Sequence, residues 1–122
     1  MKTRFDEKEI WLNAEQRMNK ITDMHTMHLL NVLAMFITKP SSVMSMLIQD
    51  IEDGTFADSP VWSSTAQTEE NMAESLANVT SMTADELTHY ALASPLGLAI
   101  KAELEHRGVR VESALNTLAG KR

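Results

Sequence analysis

Between Asp23 and Lys39 the chain carries no charged residue. Within this stretch Leu29, Leu30, Leu33, Phe36 and Ile37 gather on one side of a helix that turns about 100° per residue. The opposite side carries Met24, His28, Asn31, Met35 and Thr38, again without a charge. A helix uncharged around its whole circumference is normally covered on both sides. Met24–Thr38, opening behind an N-cap at Thr22 or Asp23, is therefore expected to be the central helix of its domain.

The rest of the chain supplies helices to pack around it. Lys39-Pro40 ends the central helix, because the residue before proline is pushed out of the helical region. Ser41 or Ser42 then caps a second helix through Glu52, with Val43, Leu47, Ile48 and Ile51 inward and Gly54 at its end. Residues 54–63 read as a loop pinned by Phe56 and Trp62, the latter assigned a structural role. Ser64 to Gln67 and Thr83 to Glu86 are capping boxes that open a third and a fourth helix. Pro95 opens a fifth, with Leu96, Ile100 and Leu104 inward and Gly108 at its end. Val111, Ala114, Leu115 and Leu118 add a final amphipathic segment.

Residues 9–21 are compatible with two states. Trp11, Ala14, Met18 and Ile21 recur at helical spacing, yet Ile10-Trp11-Leu12 also suits a strand turning back through Met18–Ile21. The expectation is one domain over residues 1–122, all-α, a compact bundle of four to six short helices with room for a short N-terminal β-hairpin. An apolar content of 43% and 122 residues suffice to bury a core without disulfides or a metal.

Composition narrows function by exclusion. No cysteine is present, so disulfides, thiolate metal sites and cysteine nucleophiles are ruled out. No run approaches the roughly 18 apolar residues of a membrane span, and the charged N-terminus does not suit a signal peptide. A cytoplasmic protein without membrane contact is expected. The net charge of −6 argues against a nucleic-acid partner, since phosphate binding needs clustered Lys and Arg. Asp50, Glu52, Asp53, Asp58, Glu69, Glu70, Glu74, Asp85 and Glu86 form no dense row and read as a solvated surface. An acidic mimic of nucleic acid, blocking a DNA-binding host protein, is kept as an alternative.

Glu-x-x-His occurs twice, at Glu86–His89 and Glu103–His106, and pairs of such motifs serve di-iron carboxylate bundles. Here Glu86 and His89 point away from the Leu87/Tyr90/Ala91 stripe, and Glu103 is placed to pair with Arg107 one turn later. A metal-dependent enzyme is thus a second alternative, and no catalytic residue, metal or cofactor is assigned. His25 and His28 lie three apart, but two imidazoles do not make a site. His28 is better read as a structural histidine bonded to a carbonyl or to Asn31. Six methionines crowd the central helix, and methionine both fills irregular cores and lines adaptable binding surfaces.

Three separated pieces carry a resemblance: Trp11; then Met24, His28, Leu29 and Asn31 as Met-x-x-x-His-Leu-x-Asn; then Pro95, Ile100, Glu103, Leu104, Arg107 and Gly108. Together they resemble a loose group of small phage- and prophage-encoded proteins. In those proteins the tryptophan lies in a hairpin with a glycine-containing turn, whereas here the turn reads Asn13-Ala-Glu-Gln-Arg17. The resemblance implies a phage source, hence a host-cell cytoplasm, and no activity; Trp11, Glu103 and Arg107 are assigned structural roles, the last two as an ion pair one turn apart. The function expected is that of a non-enzymatic accessory protein binding another protein, either itself as a homodimer or a host factor. Met24, His28, Asn31 and Met35 are its candidate interface.

Overall fold

The computed structural model describes residues 3–13, 17–53 and 66–119. After a 3-10 turn at Arg4–Asp6 come strands β1 (Ile10–Leu12) and β2 (Met18–Lys20), a second 3-10 turn at Ile21–Asp23, and six helices. These are α1 (Thr26–Thr38), α2 (Pro40–Asp53), α3 (Ala66–Thr80), α4 (Ala84–Ala93), α5 (Pro95–His106) and α6 (Val111–Ala119). The all-helical bundle with a short N-terminal hairpin is therefore the architecture, and no single helix among the described residues is long and apolar enough to cross a membrane.

Residues 9–21 take the hairpin alternative. β1 and β2 are antiparallel, with Ile10 opposite Lys20, Trp11 opposite Asn19 and Leu12 opposite Met18. Asparagine supplies part of what the missing glycine would: the Asn13 N–H donates to the Arg17 carbonyl at 3.0 Å, and the Arg17 N–H donates to the Asn13 side chain at 3.0 Å. Trp11 is buried, its ring edge-on to Phe36 at 6.2 Å. Phe5 packs against Phe36 at 5.6 Å, so the hairpin and the turn before it join one core.

α1 is central, packed by α2, α4, α5 and α6. Leu29, Leu30, Val32, Leu33, Ala34 and Phe36 are buried along it. It starts later than its composition suggests: Thr22 and Asp23 belong to the 3-10 turn, Met24 and His25 are extended, and His25 is the N-cap without a side-chain bond. α2 starts earlier than expected. Pro40, rather than a residue after Ser41 or Ser42, takes the first-turn position, where a missing N–H costs nothing. The helices on either side of Lys39 meet at 98°.

α4 opens on the expected capping box, with the Thr83 hydroxyl accepting from the Glu86 N–H and the Glu86 carboxylate accepting from the Thr83 N–H. α4 and α5 are joined by one residue, Ser94. Its hydroxyl donates back to the Ala91 carbonyl at 2.6 Å and accepts from the Gly97 N–H at 3.1 Å. Gly97 lies so close to the end of α4 that a side chain there would collide with the Ala91 and Leu92 carbonyls. Gly108 ends α5 at φ +84°, the left-handed conformation that favours glycine.

Candidate functional site on the central helix

Two arginines fix the frame on which the exposed side of α1 is carried. Arg4 is buried completely, though no apolar pattern marks it. Its guanidinium donates twice to Asp50, from Nε at 2.9 Å and Nη2 at 2.8 Å, and from Nη1 to the Leu12 carbonyl at 2.8 Å. Its backbone N–H also donates to Asp50, at 2.9 Å. One carboxylate on α2 thus holds the N-terminal turn, and through it the end of β1. Asp50 is only 1% exposed, so it is no part of the solvated acidic surface on which the sequence places it. A buried acid is retained where a cation and full hydrogen bonding accompany it.

Arg107 does the matching work at the other end. Glu103, one turn earlier on α5, accepts from its Nε at 2.7 Å and aims the fork. Nη1 then donates to the Met24 carbonyl at 2.7 Å and the Thr26 hydroxyl at 3.1 Å, and Nη2 to the Thr22 carbonyl at 3.0 Å. These acceptors lie in the segment leading into α1. In this arrangement Trp11 is a core ring, Glu103 an orienting carboxylate and Arg107 a clamp. Trp62 lies outside the described residues.

The four interface candidates divide. Met24 is buried, 6% exposed, because it precedes α1 in extended backbone and turns into the core. It leaves the candidate surface. His28 and Asn31 are exposed, and Met35 is half-buried against the core. No hydrogen bond joins His28 to Asn31 or to a carbonyl among the described residues. Met27, which the sequence reading passed over, is 56% exposed. On a helix that starts at Thr26, Met27, His28, Asn31, Met35 and Thr38 share about 100° of circumference. At 100° per residue Met27 falls at the edge of this sector whatever the helix start, so helical spacing alone was signal enough for it; the later start is what takes Met24 out.

The Glu-x-x-His pairs do not converge. Glu86, at the start of α4, is engaged by Thr83, whose backbone N–H and hydroxyl hold its carboxyl below the ordinary carboxylate value. Glu103 is engaged by Arg107, and His89 and His106 are exposed. Among the described residues no three His, Asp or Glu side chains are grouped to hold a metal ion. Compared with known proteins, the chain matches no family model, no curated protein and no solved structure.

Proposed function

We propose that this chain is a non-enzymatic accessory protein of phage origin that acts by binding protein, in the first instance a second copy of itself, through the exposed stripe of α1. The observation that carries the reading is Met27. It is a large apolar side chain more than half exposed on the central helix, one turn from exposed Asn31 and beside exposed His28. The stripe mixes soft apolar groups with side chains able to hydrogen-bond across an interface, and it carries no full charge to desolvate. Two-fold pairing would set the same residues against each other, so that His28 of one copy meets Asn31 of the next.

A stable interface covers about 800 Å² on each partner, several times what five side chains present, so association in the micromolar range is expected. Light scattering on wild type and Met27→Glu tests it. The variant is preferable to Met35→Glu because Met35 also packs on the core. A dimer at on the order of tens of micromolar, lost in a folded Met27→Glu, is the expected result. A wild type that stays monomeric, or a Met27→Glu that still pairs, defeats the reading.

A further inference from the structure

At its open end the hairpin does not close against α5, and a cleft of about 560 Å³ remains between them. Its size lies within the range of small-molecule sites. The reason for the gap is local. Ala99 and Ala102 face it from α5, beside the buried Leu96, Ile100 and Leu104, and two methyl groups reach too short a distance to fill the space. Ile10 and Ile21 face it from the hairpin side, half-buried and buried respectively.

The charges around this apolar floor are unevenly matched. Lys8 and Lys20 both line the cleft and are exposed, and neither has a carboxylate partner among the described residues. Glu103, on the opposite wall, is already held by Arg107 at 2.7 Å, which leaves Glu9 as the one unneutralised acid of the lining. With Arg107 counted against Glu103 and Glu9 against one lysine, the rim keeps one net positive charge on a chain of net charge −6. Two ammonium groups outnumbering the one unpaired carboxylate, beside an apolar floor, match a molecule with one anionic end and one greasy end.

We propose that this cleft binds a small amphipathic anion, a carboxylate or phosphate ester on an apolar body, free in solution rather than in a lipid surface. The body lies between Ile10/Ile21 and Ala99/Ala102, and the anionic head rests on Lys8 and Lys20. None of these residues belongs to α1, so the inference stands apart from self-association and Met27→Glu leaves the cleft unaltered.

The test is fluorescence titration of the native protein with anilinonaphthalene sulfonate, an aromatic anion, and with neutral phenylnaphthylamine. Saturable one-to-one binding of the sulfonate is expected, weakened about tenfold in the double variant Lys8→Glu/Lys20→Glu, while the neutral dye is unaffected by the lysines. Ala102→Leu, at an exposed position, crowds the apolar floor and weakens both signals. Octanoate below its micelle concentration displaces the sulfonate, and the protein does not sediment with phosphatidylglycerol vesicles. Absence of saturable binding overturns the proposal, as does binding of both dyes left unweakened by Ala102→Leu in a protein of unchanged circular dichroism. Sedimentation on the vesicles without displacement by octanoate overturns it too. Should Ala102→Leu fail to fold, the lysine double variant decides alone: unchanged sulfonate affinity overturns the proposal.

Discussion

The Nη1 of Arg107 donates to the carbonyl of Met24 at 2.7 Å, across 83 residues of sequence. This bond brings the last of the separated sequence pieces onto the first residue of the Met-x-x-x-His-Leu-x-Asn piece. It also explains why Glu103 stands one turn before Arg107: a fork that must reach three acceptors on another segment gains from having its own orientation set beforehand.

Arg107→Ala is expected to lower stability by about 1.5–3 kcal/mol, because hydrogen bonds from a charged donor are lost and the Met24 and Thr22 carbonyls lose their partner. Arg107→Lys should recover little of it, since one ammonium cannot serve four acceptors in a planar fork. Urea denaturation of wild type and both variants measures this. A lysine variant as stable as wild type would mean that charge alone, without the fork, is sufficient.

The Arg4–Asp50 pair should behave as one unit. Removing either partner leaves the other charged and buried, so Arg4→Met or Asp50→Leu alone is expected to cost about 3–5 kcal/mol. The double variant should cost far less than the sum, and a double-mutant cycle in urea gives the coupling. Molar salt should change the pair's contribution little, because it lies out of reach of screening ions.

Two glycines allow a contrast. Gly97→Ala places a methyl group against the Ala91 carbonyl and 2.7 Å from that of Leu92, both backbone groups with nowhere to move. A loss of about 1–3 kcal/mol, or a displaced α5, is expected. At Gly108 nothing lies within 4 Å of the added methyl, so Gly108→Ala meets only the left-handed backbone penalty of about 1 kcal/mol. Thermal unfolding by circular dichroism ranks the two.

Tyr90 adds a pH dependence. Burial raises its phenol above the ordinary value of 10.0, aided by Asp6 and Asp50 and opposed by the Thr3 hydrogen bond. The folded protein therefore keeps this proton at a pH where the unfolded chain has released it. The contribution is complete below the ordinary phenol range and is lost as pH rises through the folded value. Urea midpoints should fall between pH of about 9 and 11 in wild type, and fall less in Tyr90→Phe. Equal falls would assign the alkaline sensitivity to other groups.

What could be read in the sequence was what local chemistry decides. Thr83 with Glu86, Pro95, and Gly108 each mark a helix end by a property of the residue itself, and each stands at such an end. The hairpin was half legible, because Asn13 supplies with its side chain a closure normally signalled by glycine. Arg4 was not legible. Its partner is 46 residues away, and an arginine near a chain end is ordinarily solvated. Asp50 did carry a clue: it lies three residues after Leu47 and seven after Val43, in register with the buried stripe of α2, where an acid needs a cation. Met24 was not legible as a core residue, because where α1 begins depends on the turn before it and on Arg107 holding that turn.

Arg4 has one more consequence, and it concerns association between misfolded copies rather than stability. The carbonyl of Leu12 lies at a non-hydrogen-bonded pair of the hairpin, so it faces outward from β1, and the guanidinium fills it. That side of the two-stranded sheet therefore offers no free acceptor there to a foreign strand, while the opposite edge is three residues long and carries Lys20. Substituting Arg4 would uncover a sheet edge beside the rings of Trp11 and Phe36 as well as stranding a carboxylate. Variants at Arg4 should consequently aggregate once protein concentration is raised above that used for dilute urea unfolding, whereas variants at Arg107 should remain dispersed at the same concentration.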